Sequence, residues 1–252
     1  MTMTKIKTKL FCLPYAGGSA AVLYGKWSRM EFDDLEVIPL ELSGHGKRVE
    51  EPLYTEMHSM IEDLAAKMVE IISSAGSDSS DDSPADSGPT HTLPYAIFGH
   101  SMGALLSYEL AHHLQAQGHP LPRHLFCSGG MPPHVQLDST IHLLPERKFK
   151  KVAKSLLPPS FFFSSELQDL YLPMLKADVQ LMETYQHERT EPMLDCDITV
   201  LYGTDDKGVA PEIRNWKQYT TQRYQDHAFP GGHFFVHDYP EEILQVIREA
   251  LR

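Results

Sequence analysis

The chain has 252 residues, 42% of them hydrophobic, and carries a formal net charge of −12. That length suits one large α/β domain or two small ones. The acidic balance argues against nucleic acid as a partner, because phosphate binding needs a basic surface. No apolar run is long enough to span a membrane, and the lysine-containing N-terminus lacks the apolar stretch of a secretory signal.

The three cysteines, Cys12, Cys127 and Cys196, are far apart and form no C-x-x-C pair. This pattern predicts reduced thiols in a cytoplasmic protein rather than a disulfide framework or a zinc site. We expect no metal and no other cofactor.

Apolar runs in the first half of the chain predict four strands and two helices. The strands are residues 9–15, 35–42, 93–99 and 123–130. Apolar residues at helical spacing predict a helix over residues 58–74. A second helix should follow Ser101 and end at Gly118, since glycine is a common residue just past a helix C-terminus.

Two segments interrupt this pattern. Residues 73–92 contain no Val, Leu, Ile or aromatic residue, so they cannot bury enough surface to fold, and we expect a disordered acidic loop. Residues 131–190 contain proline breaks, a basic run and an aromatic triplet but no strand signal. They predict a helical insertion.

The C-terminal part resumes the alternation, with strands predicted over 197–203 and 223–229 and helices over 211–220 and 239–251. Strands alternating with helices indicate an α/β fold with a mostly parallel, doubly wound sheet. Right-handed crossovers then place the strand-to-helix loops at one edge, where ligands bind. Residues 73–92 follow a helix and fall at the opposite edge.

The sequence GHSMG has the form G-x-S-x-G and lies between a predicted strand and a predicted helix. In that context Ser101 would stand on a sharp turn with its hydroxyl clear of the sheet, as a nucleophile. Gly99 and Gly103 would remove side chains where the strand and helix crowd the turn. The alternative is a glycine-rich turn in which Ser101 only caps the helix.

A nucleophilic serine needs a base and an acid that orients it. In this fold the order is Ser, Asp or Glu, then His, each on a loop after a strand. His233 in FPGGHFF satisfies this order, whereas His237 lies too close to the final helix. Asp206 is favoured over Asp205 as the acid by its spacing from Gly203, and Asp205 would then be a turn residue. Most of the other histidines are expected to be solvated.

An oxyanion hole should use the backbone N–H of Met102, the residue after the nucleophile. A second N–H should come from the loop PYAGG after the first strand. Ala16 is the favoured donor, with Tyr15 and Gly17 as alternatives. The same loop is also consistent with a tight turn that opens a helix.

Six segments together resemble the type II (external) thioesterases of non-ribosomal peptide and polyketide synthesis, in particular the peptide-synthetase branch. They are FCLPYAGGSA, PLELSGHGKR, FGHSMGALLSYELA, MPPH, LYGTDDKG and FPGGHFF. The resemblance covers nearly the whole chain in the same order, and CLPYAGG and GHG are much more specific than the serine motif. The long acidic loop departs from the family's pattern.

The resemblance implies one α/β-hydrolase domain over residues 1–252, with residues 131–190 as a helical lid. It implies hydrolysis of acyl, aminoacyl or peptidyl thioesters on the phosphopantetheine arm of carrier proteins, which clears stalled or wrongly primed arms. Ser101 would be the nucleophile, His233 the base and Asp206 the orienting acid, in agreement with the assignment from the residues. We expect a monomer that binds acyl or peptidyl carrier domains and neither nucleic acid nor a membrane.

Two features of the insertion bear on recognition. Phe161–Phe163 and the helix after them either line an acyl channel or pack the lid onto the domain. A basic cluster either meets the acidic carrier or the arm's phosphate, or forms a solvated helix face. Because the enzyme is itself acidic, local basic groups would have to offset long-range repulsion. The cluster consists of Arg147, Lys148, Lys150, Lys151 and Lys154.

Three alternative functions use the same residues differently. A general carboxylesterase or lipase would have the same triad but would be indifferent to a carrier. A terminal, product-releasing thioesterase domain is usually fused to a synthetase. A non-catalytic carrier-binding protein would not need Ser101, Asp206 and His233.

Overall fold

The computed structural model describes residues 6–73, 92–158, 161, 163–187 and 193–252. Its centre is a six-stranded sheet with the order β2-β1-β3-β4-β5-β6, and all five strand pairs are parallel. The strands are β1 (Thr8–Leu13), β2 (Leu35–Pro39), β3 (Tyr95–His100), β4 (His124–Ser128), β5 (Asp197–Gly203) and β6 (Tyr224–Phe229).

Helices cover both faces of the sheet. They are α1 (Ala20–Tyr24), α2 (Met57–Ser73), α3 (Met102–Ala116), α4 (Glu146–Leu156), α5 (Ser165–Thr184) and α6 (Pro240–Ala250). Alternate strand residues point to opposite faces, so Phe11 and Ile97 join an apolar core with α2 and α3. Leu10 and Phe98 join a second core with α1 and α6. The predicted doubly wound α/β fold is confirmed.

The strand register brings the C-terminal ends of the strands to one edge. Leu13 pairs with Gly99, and His100 pairs with Ser128. The loops after β1, β3, β4, β5 and β6 therefore meet there, as the order of strands and helices predicts. The predicted disordered loop, residues 73–92, lies almost wholly outside the described residues. Its flanks are adjacent, because the Leu93 amide donates to the Ile72 carbonyl (3.1 Å).

The helix predicted over residues 211–220 is present as a 3-10 helix over Ile213–Tyr219. Its buried residues are Ile213, Trp216 and Tyr219, which recur every third position. A 3-10 helix has three residues per turn, so this spacing places all three against the core, whereas an α-helix would rotate them progressively away.

The segment between β4 and β5 contributes α4 and α5 at the active edge. Its apolar residues form a third core, in which Phe149 and Ala153 of α4 and Leu172 and Leu175 of α5 pack with Tyr15 after β1. The two helices are therefore attached directly to the loop that follows the first strand. Searched over the described residues, the structure has no helix with the length and apolarity needed to cross a bilayer.

Candidate active site

Ser101 stands on a strained turn between β3 and α3. It has φ +57° and ψ −114°, and it is the only non-glycine residue with positive φ in the described part of the chain. A Cβ at Gly99 would meet the Gly103 carbonyl oxygen at 1.9 Å, and a Cβ at Gly103 would meet the Leu13 carbonyl oxygen at 2.5 Å. The two glycines of G-x-S-x-G are therefore required by close backbone packing around the serine.

The three side chains predicted to form a triad lie in one hydrogen-bonded chain. His233 Nε2 is 3.0 Å from Ser101 Oγ, and His233 Nδ1 is 2.6 Å from Asp206 Oδ2. Because a carboxylate only accepts, Nδ1 carries a hydrogen, and Nε2 of the neutral ring is free to accept the serine proton.

Asp206 is held as a carboxylate by its surroundings. Burial raises its pKa, but the hydrogen bond from His233 and the amides of Val209 and Gly208 outweigh that effect, so the pKa lies below its usual value. Both amides contact Oδ1 at 3.3 Å, which leaves Oδ2 for the imidazole. Asp205 is exposed, and its own amide donates to the Gly231 carbonyl (2.8 Å). Its backbone therefore stabilises the turn after β5.

The amide of Met102 opens helix α3. The first amides of a helix have no intrahelical acceptor and lie at the positive end of its dipole. Among the described residues, neither Met102 nor Ala16 donates its amide hydrogen to an acceptor. Gly17 does, to Asp178 Oδ2 at 2.7 Å. Gly17 is therefore excluded as the second oxyanion donor.

A cavity of about 180 Å³ opens beside Ser101 and His233. Its walls come from the loop after β4 and from the C-terminal end of α5, including Met182. Phe161 does not line it; its ring packs edge-on against Tyr15 and Tyr171. Phe163 is 80% exposed, and Phe162 lies outside the described residues. Phe161 thus contributes packing, and α5 contributes part of the cavity wall.

The expectation that most other histidines are solvated is wrong for four of them. His45, His100, His112 and His124 are buried. His45 Nε2 contacts the buried carboxylate of Asp178. This pair was not predicted from the sequence. Asp178 occupies the apolar stripe of α5, between Leu175 and Leu181, and a charge on such a stripe is a signal that a buried partner exists. Across the described ranges, no group of three or more His, Cys, Asp or Glu side chains is placed to hold a metal ion.

Residues 87–251 match the family described as thioesterase domain. The linear gramicidin dehydrogenase LgrE of Brevibacillus parabrevis is 34% identical, over 96% of this chain and 87% of its own length. The gramicidin S biosynthesis protein GrsT of Aneurinibacillus migulanus is 31% identical, over 98% and 90%. The crystal structure of ClbQ from the colibactin NRPS/PKS pathway has a TM-score of 0.83 at 32% identity and 97% coverage of both chains.

The name of the first relative denotes an oxidoreductase. The loop after β1 here reads PYAGGSA and lacks the G-x-G-x-x-G that a dinucleotide-binding fold carries at this position. The family match covers four of the six segments behind the predicted resemblance: FGHSMGALLSYELA, MPPH, LYGTDDKG and FPGGHFF. Together with these relatives it confirms the resemblance. The chain belongs to the thioesterase domain family and is a thioester hydrolase.

Proposed function

We propose that the protein hydrolyses acyl, aminoacyl or peptidyl thioesters on the phosphopantetheine arm of carrier domains in non-ribosomal peptide or polyketide synthesis. The observation that carries the proposal is the Ser101–His233–Asp206 chain of hydrogen bonds at the active edge. Relatives named for gramicidin S biosynthesis and for a colibactin NRPS/PKS pathway support the biosynthetic setting.

In the proposed mechanism His233 Nε2 takes the proton of Ser101 as Oγ attacks the thioester carbonyl carbon. The amides of Met102 and Ala16 stabilise the oxyanion. Collapse breaks the C–S bond, and the thiol leaves with the proton held by His233. A thiol has a pKa of about 8.5, so it is a good leaving group and needs little assistance from the general acid. Water, activated by His233, then cleaves the acyl-enzyme to the free acid.

The carrier is proposed to dock on the insertion, with α4 and α5 acting as a lid. Four residues of the basic cluster are exposed on α4, while Lys150 is half-buried. An acidic carrier would be repelled by the net charge of −12, so a local basic face offsets that repulsion. The exposed residues are Arg147, Lys148, Lys151 and Lys154.

The three cysteines are buried as free thiols. This state supports the proposed cytoplasmic location, where the reducing environment keeps thiols unpaired. Monomeric action is part of the same proposal, since all proposed catalytic groups come from one chain.

The test offers acetyl-, aminoacyl- and peptidyl-carrier proteins beside the matching pantetheine thioesters and oxygen esters. Higher kcat/KM on the carrier than on the matched small thioester is expected, with loss of hydrolysis in Ser101→Ala. Equal hydrolysis by wild type and Ser101→Ala would refute the mechanism. Preference for oxygen esters with indifference to the carrier would favour a general carboxylesterase instead.

A further inference from the structure

The loop that carries Ala16 is a tight turn. The Gly18 amide donates to the Tyr15 carbonyl (2.9 Å), and Gly17 has φ +74°. These are the features of a type II turn, in which the third residue has positive φ. A type II turn differs from a type I turn by a flip of its central peptide, here the one that joins Ala16 to Gly17. That peptide directly follows the proposed oxyanion donor.

Asp178 of α5 holds this central peptide. Its Oδ2 accepts the Gly17 amide at 2.7 Å, and a flip would place the Ala16 carbonyl oxygen against the carboxylate instead. One helical turn earlier, α5 also lies directly on Gly17: a Cβ there would come within 3.0 Å of Leu175 Cβ. Two residues on the same face of α5 therefore fix the turn.

His45, in the loop after β2, contacts the same carboxylate. Its Nε2 is 3.0 Å from the same Oδ2 of Asp178, and its Nδ1 is 2.9 Å from the Ser43 carbonyl. Both partners are acceptors, so both ring nitrogens carry hydrogens and His45 is an imidazolium. Asp178 and His45 are each only 1% exposed. A carboxylate buried this deeply requires such a cation, because an unpaired charge there is strongly unfavourable.

We propose that Asp178 and His45 form a positioning pair, which fixes the Tyr15–Gly18 turn when α5 is seated and so aims the Ala16 amide at the oxyanion. The inference rests on the proposed function of Ala16. Neither residue lines the cavity beside Ser101; both act through the turn. One carboxylate oxygen of Asp178 therefore links helix α5 to the loops after β1 and β2. The oxyanion hole is thus complete only while the insertion is in place.

Two variants and a control test the pair. His45→Leu/Asp178→Leu removes both charges together, and replacing a buried pair by apolar residues is compatible with folding. Asp178→Asn keeps an oxygen for the Gly17 amide. Glu183→Gln changes another buried carboxylate of α5, one that accepts the Ile141 and His142 amides and does not touch the turn.

We expect the double variant to fold and to lose about 10- to 100-fold in kcat, because a displaced oxyanion donor weakens transition-state binding. KM should change by less than about threefold, and affinity for a trifluoromethyl ketone, whose adduct places an oxyanion in the hole, should fall in parallel with kcat. Asp178→Asn should retain kcat within about fivefold of wild type, and Glu183→Gln should retain it fully.

A folded double variant with wild-type kcat and ketone affinity would overturn the pairing, as would an equal loss in Glu183→Gln. Failure of the underlying mechanism is distinguishable, because it would appear as retained hydrolysis in Ser101→Ala, whatever the double variant does.

Discussion

The backbone amide of Ser101 donates a hydrogen bond to the carbonyl oxygen of Ser128 at 2.7 Å. His100 and Ser128 are register partners in β3 and β4, so this bond extends the ladder one residue past the end of β3. It anchors Ser101 in dihedrals close to those of the first central residue of a type II′ turn, a position dominated by glycine. The strain at Ser101 is therefore maintained by the neighbouring strand.

Backbone strain at Ser101 predicts that a glycine variant is more stable than an alanine variant. Ser101→Gly should be more stable than Ser101→Ala by roughly 1 kcal/mol, because only glycine adopts these dihedrals without cost. Both variants lose the hydroxyl, so their difference isolates the backbone. Chemical denaturation of the two proteins measures it, and an alanine variant as stable as the glycine variant would show that the turn is unstrained.

The strands and the positions of Ser101, Asp206 and His233 could be predicted because local signals specify them. Continuous apolar runs mark buried parallel strands, and the order of strands and helices places their loops at one edge. The pair of His45 and Asp178 could not be predicted in this way. Its members are 133 residues apart. The carboxyl group on the apolar stripe of α5 indicates a buried partner, but no local pattern identifies His45 as that partner. Only tertiary packing creates their burial.

Substitution of Asp206 should lower kcat strongly, whereas substitution of Asp205 should not. Asp206→Asn should lower kcat by about 10³-fold. Its oxygen would stay with the amides of Gly208 and Val209, which turns the NH₂ group toward His233 Nδ1. The ring would then carry its hydrogen on Nε2 and could not accept the serine proton. Asp205→Asn is the matched control and should leave kcat unchanged; equal losses in the two variants would contradict the assignment.

The charged His45 predicts a contribution to the free energy of unfolding that is lost as the pH rises. Burial opposes its charge, but the hydrogen bond to Asp178 and the charges of Asp178 and Glu41 outweigh burial and raise its pKa. A raised folded pKa means that stability is present in full below the unfolded value, about 6.5, and is lost as pH rises through the folded value.

Thermal unfolding measured upward from about pH 6.5 should therefore show Tm falling more steeply in wild type than in His45→Leu/Asp178→Leu. Buried His100 and His124 have lowered pKa values, so their effect has the opposite sign and lies below this window. Parallel pH profiles of the two proteins would show that the pair is not charged in the folded state.

The cavity beside Ser101 predicts a limit on acyl length. Its volume is about 180 Å³, so we expect the wild-type enzyme to favour an acetyl or a small aminoacyl group over a decanoyl group. Met182→Ala should enlarge it and raise the decanoyl-to-acetyl ratio of kcat/KM by about tenfold. Met174→Ala is the control, because Met174 is buried on α5 but does not line the cavity. An unchanged ratio in Met182→Ala would place the acyl chain elsewhere.

The exposed face of α4 predicts how charge reversal affects carrier recognition. Lys151 and Lys154 are exposed and lie one turn apart, on the side of α4 away from Phe149 and Ala153, which are buried. Lys151→Glu/Lys154→Glu should raise KM for an acyl-carrier protein on the order of tenfold, because attraction is replaced by repulsion. KM for the matching pantetheine thioester should not change.

A control variant on another helix and a salt titration separate docking on α4 from long-range repulsion. Arg214→Glu/Lys217→Glu has the same charge change and spacing at two exposed positions of the 3-10 helix, so it alters net charge equally without touching α4. If long-range repulsion alone governed encounter, both double variants would raise KM to the same extent. If α4 is the docking face, only the first does, and its defect shrinks in about 1 M salt, where the screening length is ~3 Å. Equal effects on carrier-bound and small thioesters would place the role of α4 in acyl binding instead.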